Sequence, residues 1–271
     1  MVFTFFLVPA FLFIFGAAIG SFLNVIIYRS SIGESWVNGR SHCEKCKKVI
    51  AWYDNIPLLS YFILGGKCRN CKTPLSLSHP VVESLTGILF VWWYFAGFLF
   101  FKLSQLPFIF LQPLFWLAVG IILLMIVIID LREMIIPDTG VALLFVLVIM
   151  YRLGLTASGV MKTNDLYLSL LSMIGAGLFF FLIWFLTKGK GIGFGDVKLA
   201  FPLGLLLGWP LTIVWIFSSF IIGAVFGIGL LLSHKVKMKQ AIPFGPFLVA
   251  GTLVSLIWGD QLFHWYVTLI R

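Results

Sequence analysis

Long apolar stretches recur along almost the whole chain, separated by short polar segments that contain most of the charged residues. Most of these stretches approach the roughly 20 residues that a helix needs to cross the hydrocarbon core of a membrane. The pattern predicts an all-α polytopic membrane protein, because helices satisfy their own backbone groups in lipid. We place eight transmembrane helices, at 4–27, 80–101, 108–129, 139–155, 165–187, 197–208, 211–232 and 244–268.

The composition supports a membrane protein. Of the 271 residues, 61% are hydrophobic and only 11% are charged, a balance that ordinary soluble domains do not have. The opening apolar run has no basic residue before Arg29 and is longer than the core of a signal peptide. We therefore interpret residues 1–28 as a retained first transmembrane helix. The net charge of +9 would suggest a nucleic-acid partner in a soluble protein, but here we expect none, because basic residues mark cytoplasmic loops.

The positions of the basic residues predict the orientation of the helices. If the N-terminus lies outside, the cytoplasmic segments hold all but four of the 19 lysines and arginines, including Lys235, Lys237 and Lys239. The exceptions are Lys102, Arg152, Lys162 and Arg271. Because loops rich in Lys and Arg stay in the cytoplasm, the sequence predicts an outside N-terminus and eight spans.

The only sizeable polar segment is the loop 29–79, and it contains every cysteine of the chain. The cysteines form two C-x2-C pairs, made by Cys43, Cys46, Cys68 and Cys71. Thiolates at this spacing are typical of a structural zinc site, which would supply much of the folding energy of a loop too short for a core of its own. Two disulfides are the alternative, and the predicted cytoplasmic location argues against them.

The loop thus divides the chain into a first helix (1–28), a zinc-binding domain (29–79) and a membrane bundle (80–271). His42 and His79 could each replace one cysteine as a ligand, although four cysteines are already enough. Zinc ribbons also bind nucleic acids, but the loop lacks the aromatic spacing of a base-stacking surface.

Two acidic residues stand at the ends of apolar runs. Asp130 follows the run 108–129, and Asp196 precedes the run 197–208. In the predicted topology both lie just inside the inner face of the membrane. Acids in such places are costly, and they are usually functional. We therefore predict a site formed by Asp130 and Asp196, which their shared depth permits.

Two carboxyl groups a few ångströms apart cannot both ionise cheaply, so one would keep its proton while the other is anionic. The anion can activate a water molecule, and the acid can protonate or polarise a scissile carbonyl. The predicted reaction is amide hydrolysis without a covalent intermediate. Gly191, Gly193 and Gly195 precede Asp196 and would allow positive φ angles and the close approach of a substrate backbone.

Structural roles are the alternatives at these positions. Asp196 could be the N-cap of its helix, and Asp138 stands where an N-cap is expected. Lys198 would either favour ionisation of the acidic pair or anchor its helix at the lipid headgroups.

Two other functions are compatible with these residues. In a proton- or cation-coupled transporter, the two aspartates would relay protons or bind an ion. Inverted repeats and acids near the membrane midplane would support transport, and we find neither in the sequence. In a zinc-ribbon adaptor without catalysis, the aspartates would only be helix caps.

Motifs around the cysteines resemble those of the type IV prepilin peptidases, bacterial enzymes of type IV pili, competence pseudopili and type II secretion. Residues 20–29 (GSFLNVIIYR) resemble the end of the first span of that family. The paired C-x2-C loop, with residues 52–57 (WYDNIP) between the pairs and residues 80–83 (PVVE) after them, resembles its cytoplasmic domain.

Motifs around the acids carry the same resemblance. Asp130 with residues 136–138 (IPD) resembles the first aspartate motif of the family, and residues 193–196 (GFGD) resemble the GxGD motif shared with presenilin-type intramembrane proteases. The resemblance implies that Asp130 and Asp196 are the catalytic pair. It also implies that Gly193 and Gly195 form the supporting loop and that the four cysteines are zinc ligands. Arg132 departs from the pattern, since many relatives carry a second acid there.

The resemblance also implies substrates, cofactors and a location. The substrate would be a prepilin or pseudopilin with a short basic leader, cut on the cytoplasmic side just after a glycine. Many relatives then methylate the new N-terminus with S-adenosylmethionine, whose binding residues the sequence does not indicate. The expected location is the bacterial cytoplasmic membrane, with the lipid bilayer as a partner. The sequence indicates neither the oligomeric state nor which pilins are cut.

Overall fold

A computed structural model describes residues 2–31, 39–233 and 242–270 of the chain. Within these ranges the protein is helical and has no β-strand, which confirms the predicted all-α class. The helices are α1 (Val2–Ser31), α2 (Leu59–Ile63), α3 (Ser78–Phe100), α4 (Phe108–Glu133), α5 (Asp138–Ala157), α6 (Thr163–Leu186), α7 (Phe194–Leu207), α8 (Leu211–Leu232) and α9 (Gly245–Ile270), with a 3-10 helix at Trp52–Asn55. Lys235, Lys237, Lys239 and Arg271, which the predicted orientation used, lie outside the described residues.

Within the described ranges, seven helices are long and apolar enough to cross a membrane. They are α1, α3, α4, α5, α6, α8 and α9. Helix α7 corresponds to the predicted span 197–208, but its 14 residues extend only about 21 Å, less than the roughly 30 Å of a hydrocarbon core. The chain is therefore a multi-pass membrane protein in which one predicted span is a shorter helix.

The chain forms two compact units, Met1–Met125 (unit 1) and Ile126–Arg271 (unit 2). In unit 1, α1 and α3 pack closely through glycines. A Cβ atom on Gly16 would lie 2.8 Å from the Thr86 carbonyl oxygen, and one on Gly20 would lie 2.8 Å from the Glu83 Cα. Small residues thus bring the two backbones together, as is common between membrane helices. The predicted domain boundaries at 28 and 79 are not tested by this grouping.

In unit 2, α7 is surrounded by other helices. It contacts α5, α6, α8 and α9, and most of its side chains are buried. A helix that is apolar on all sides is expected in such an enclosed position. At its C-terminal end, the half-buried Arg152 donates a hydrogen bond to the Leu206 carbonyl oxygen over 2.7 Å, and Gly208 turns the chain with φ of 68°. Its N-terminal end carries Asp196.

Candidate active site and metal centre

The four cysteines form one cluster in unit 1. Their sulfur atoms all lie within 4.8 Å of one another, and none of the cysteines is in a disulfide. The Sγ atoms of Cys43 and Cys71 are 3.8 Å apart, close to the roughly 3.8 Å that Zn–S bonds of about 2.3 Å impose on a tetrahedron. The cluster can hold a metal ion, and its geometry fits zinc.

Each cysteine pair sits on the same kind of turn. The Cys43 N–H donates to the Lys48 carbonyl, and the Cys68 N–H donates to the Thr73 carbonyl, each over 2.9 Å. The residue after each second cysteine has a positive φ, 56° at Lys47 and 57° at Lys72. The two halves of the cluster are therefore built alike, as the repeated C-x2-C spacing indicates.

Hydrogen bonds prepare one of the thiols for a metal. Contacts with the Thr73 side chain and backbone lower the pKa of the Cys71 thiol to about 6. The thiolate is the form that binds metals, so a lowered pKa at Cys71 favours metal binding.

An ion pair joins the second cysteine turn to the 3-10 helix. The Arg69 guanidinium donates to both oxygens of Asp54, with distances from 2.6 to 3.1 Å, and lies over the Tyr53 ring. Because Arg69 binds the carboxylate, it holds the pKa of Asp54 below its usual range. The segment 52–57, which carried part of the family resemblance, is thereby bonded through Asp54 to the second cysteine turn of the metal centre.

The two predicted catalytic acids lie together in unit 2. Asp130 belongs to the last turn of α4 and is 4% exposed, and Asp196 belongs to the first turn of α7 and is 6% exposed. The carboxyl groups are close enough for Asp130 to act electrostatically on Asp196. The structure therefore brings together two buried carboxyl groups that are 66 positions apart in the numbered sequence.

Each carboxyl group accepts one backbone hydrogen bond. The Gly245 N–H, at the start of α9, donates to Asp130 Oδ2 over 2.9 Å, and the Gly193 N–H donates to Asp196 Oδ2 over 3.1 Å. Gly193 is the N-cap of α7 and Asp196 is the N3 residue. Asp196 thus closes the first turn from N3, as the acid of a capping box does, rather than acting as the N-cap itself.

The glycines before Asp196 serve packing rather than unusual backbone angles. Gly193 has φ of −70°, and neither Gly191 nor Gly195 is among the glycines with positive φ, so the tolerance of positive φ that the sequence offers is not used here. A Cβ atom on Gly195 would instead lie 2.9 Å from the Ile136 Cβ. Gly195 is needed because the residues after α4 pack directly against this turn.

Gly245 is the site residue that sequence reasoning missed. A Cβ atom on it would lie 2.6 Å from Asp130 Oδ2, so only glycine allows the carboxylate to reach the amide undisturbed. The sequence does carry a helix-start signal here, since Pro246 follows directly. That signal predicts where the helix starts, but it does not predict that the Gly245 amide contacts Asp130.

Asp138 and Lys198 form an ion pair beside the acids. The Lys198 Nζ atom lies 2.7 Å from Asp138 Oδ1. Asp138 was predicted to cap α5, but the N-cap is Pro137 and no side-chain cap bond is present. The prediction was wrong, since the Asp138 carboxylate instead pairs with Lys198 on another helix. Arg132 lies near the end of α4 and is only partly exposed.

An apolar groove of about 490 Å³ lies beside the Asp138–Lys198 ion pair in unit 2. Helices α5, α6 and α7 line it, with Ala142, Phe145, Leu178, Phe181, Val197 and Phe201 among the lining residues. Asp138 and Lys198 also line the groove, so it runs close to the first turn of α7. A hydrophobic helix is the kind of ligand that such a surface fits.

Two family models match the chain. The Bacterial Peptidase A24 N-terminal domain matches residues 14–96, and the Type IV leader peptidase family matches residues 117–228. The first match contains the cysteine cluster, and the second contains both acids.

Curated relatives named Prepilin leader peptidase/N-methyltransferase match over nearly the full chain. Three of them are described here. The protein from Legionella pneumophila is 33% identical, with 94% of this chain and 92% of the relative covered. The protein from Aeromonas hydrophila is 32% identical, with 94% and 92% covered. The protein from Bacillus subtilis is 31% identical, with 94% and 96% covered. No solved structure was found to match.

Proposed function

Because the chain belongs to the type IV leader peptidase family, we propose that it is a membrane aspartic endopeptidase that removes the leader of prepilins or pseudopilins. We further propose that cleavage takes place on the cytoplasmic side and that the enzyme then methylates the new N-terminus. The transporter alternative is not favoured, since the relatives are named as a peptidase and methyltransferase.

The peptidase proposal rests mainly on the pairing of Asp130 with Asp196. Both carboxyl groups are buried in unit 2, both stand at helix ends, and each uses Oδ2 for one backbone N–H. Those hydrogen bonds hold the two groups in place, and we assign Oδ1 of each to water and substrate. Fixed groups of this kind lower a barrier because they need little rearrangement during the reaction.

The proposed reaction uses one carboxyl as base and the other as acid. The base takes a proton from water as the water oxygen bonds to the scissile carbonyl carbon, and the acid gives its proton to the substrate. The carbon–nitrogen bond then breaks, and the departing nitrogen leaves as the amine of the new N-terminus. Two protons are exchanged and no covalent enzyme intermediate forms.

The substrate is held mainly by its hydrophobic helix in this proposal. The groove is apolar and is lined by Phe194, Val197 and Lys198 of the first turns of α7. We propose that a helix lying in it brings its end to the two acids. The loop 29–79 carries eight basic residues and would repel a basic leader, so we assign its charge to topology and to anionic lipid instead.

The metal is proposed to be zinc, held by Cys43, Cys46, Cys68 and Cys71. Bound zinc would fix the two turns against each other and supply folding energy to the loop. S-adenosylmethionine is proposed as the methyl donor, since the relatives are named as N-methyltransferases.

The test is cleavage of a prepilin in membranes by the wild type, Asp130→Asn and Asp196→Asn. Asparagine keeps the shape of the side chain and an oxygen for the Gly245 or Gly193 amide, so the fold should persist while acid chemistry is lost. We expect both variants to lose cleavage at normal protein levels. Mass spectrometry of the wild-type product should show one added methyl group at the new N-terminus. Full cleavage by either variant would refute the catalytic pair.

A further inference from the structure

Four large apolar side chains of the cysteine-bearing loop are exposed. They are Trp52, Leu59, Phe62 and Ile63, here named the exposed apolar group, and each is 53–77% exposed. Trp52 begins the 3-10 helix, and the other three belong to α2, which contacts the 3-10 helix. None of the four lies in a helix that is long enough to cross a membrane. The lipid around the transmembrane helices therefore does not explain their exposure.

Helix α2 has its polar residue inside and its apolar residues outside. Ser60 is buried, and its hydroxyl group donates to the Tyr53 carbonyl oxygen over 3.0 Å. Leu59, Phe62 and Ile63 have the spacing i, i+3 and i+4, so they share one side of the helix, and that side is the exposed one. A surface helix in water has the opposite arrangement. The pattern of α2 therefore indicates apolar surroundings on its outer side.

A hydrogen bond locates the start of α2 relative to the membrane. Leu58, the N-cap of α2, donates its N–H to Glu83 Oε2 over 2.7 Å. Glu83 belongs to α3, whose candidate membrane span begins at Ser78. Five residues at a rise of 1.5 Å place Glu83 about 7.5 Å along that helix. The headgroup region on each side of a bilayer is roughly 5–7 Å thick, so α2 starts near the boundary between headgroups and acyl chains.

The charge of the loop is complementary to an anionic surface. Residues 29–79 carry eight basic residues against three acidic ones, and the acidic Asp54 is already paired with Arg69. Lys67 is exposed and follows α2 by four residues. Tryptophan is enriched at the boundary between lipid and water, and basic residues beside an apolar helix side are typical of helices that lie on anionic membranes. These features favour lipid as the partner.

We propose that the exposed apolar group inserts into the leaflet on the loop side of the membrane and holds the metal centre at an anionic lipid surface. Acyl chains cover the four side chains, and the lysines of the loop meet the lipid phosphates. The Arg69–Asp54 ion pair bonds the 3-10 helix to the second cysteine turn, so the inserted segment is connected directly to the metal centre. The inference goes beyond the proposed activities and does not depend on them.

The test is photo-crosslinking of the full-length protein in nanodiscs that contain equal parts of phosphatidylethanolamine and phosphatidylglycerol. Phe62→p-benzoylphenylalanine places a benzophenone, which reacts with neighbouring C–H bonds, in the exposed apolar group. The same substitution at Phe217, an exposed residue of the candidate span α8, is the lipid-facing control. The same substitution at Lys45, an exposed residue of the first cysteine turn, is the control within the loop. Mass spectrometry then distinguishes lipid adducts from protein adducts.

We expect lipid adducts at position 62 with a yield close to that at position 217. The yield should be about tenfold above that at position 45, because only the first two positions lie among acyl chains. Phosphatidylglycerol should exceed its share of the disc among these adducts. Trp52→p-benzoylphenylalanine is a second probe and should behave like the Phe62 variant. Wild-type zinc content and prepilin cleavage check the fold of each variant.

Lipid adducts at positions 62 and 52 that are no more frequent than those at position 45 would overturn the inference. Crosslinks to a second copy of the chain, or to added prepilin, in place of lipid would also overturn it and would make this group a protein interface. Adducts in the bulk ratio of the two lipids would overturn the anionic preference. Cleavage by the aspartate variants is a separate measurement, so failure of this inference leaves the proposed function intact.

Discussion

Gly245 is the residue on which the position of Asp130 depends most directly. Its N–H reaches the carboxylate because no side chain intervenes. Sequence reasoning found Asp130 and Asp196 because each stands at the end of an apolar run, which is a local signal. It could not find Gly245, since the contact joins residues 115 positions apart. Asp138 was misread for the same reason, because its partner Lys198 lies on another helix.

Replacing Gly245 by alanine should therefore impair cleavage. The new Cβ would lie 2.6 Å from Asp130 Oδ2, so the carboxylate or the start of α9 must move. Loss of a hydrogen bond to a charged group costs about 1.5–3 kcal/mol. We expect the rate of prepilin cleavage to fall about tenfold to a hundredfold, with protein levels unchanged.

A second glycine provides the control. Gly227, in α8, has no atom within 4 Å of its hypothetical Cβ, so Gly227→Ala should cleave at the wild-type rate. Wild-type activity of Gly245→Ala would mean that the amide does not hold Asp130 in its active position.

At the scale of elements, the two cysteine turns repeat one geometry. The sequence shows the repeat through its two C-x2-C pairs, and the sulfur cluster confirms that the pairs come together. The sequence does not show that Lys47 and Lys72 each adopt a positive φ, because lysine gives no sign of that conformation. Glycine would adopt it without strain.

Lys47→Gly and Lys72→Gly should therefore stabilise the metal centre. The left-handed conformation costs about 1 kcal/mol for a residue with a Cβ atom, so each change should stabilise the loop by about that amount. The measurement is the chelator concentration that removes half of the zinc. Lys45→Gly, in the same turn but without positive φ, should bring no gain. Equal effects at the three positions would contradict this explanation.

The proposed binding of a substrate helix in the groove between α5, α6 and α7 can be tested with a pair of matched substitutions. Ala142 is an exposed lining residue, so Ala142→Trp should fill the groove at little cost to the fold. We expect KM for prepilin to rise about tenfold or more while kcat changes less, because binding rather than chemistry is blocked. Leu143→Trp, on an exposed position outside the groove, is the matched control. An effect of equal size in both variants would argue against helix binding there.

At the scale of the whole molecule, hydrophobic runs predicted most of the fold because each span is a local signal. The exception is α7, whose composition resembles that of a span although the helix is short and enclosed. Periodicity alone does not separate a buried helix from a membrane helix. The predicted orientation is a property of the whole chain, and it stays a prediction.

The cysteines of the chain can test that orientation. All four lie in the loop predicted to be cytoplasmic. After zinc removal, a membrane-impermeant maleimide should label the protein in inverted membrane vesicles but not in intact cells, while a permeant maleimide labels it in both. Labelling in intact cells would place the loop outside and reverse the predicted topology.

The hydrogen bond from Gly245 to Asp130 also has a consequence for biosynthesis. Translation proceeds at roughly 5–20 residues per second, so Gly245 leaves the ribosome seconds after Asp196. During that interval a nascent chain already carries both carboxyl groups but lacks the amide that fixes one of them. We therefore expect full peptidase activity only after the last helix has been inserted, and a ribosome-stalled or truncated chain should cleave the prepilins around it more slowly.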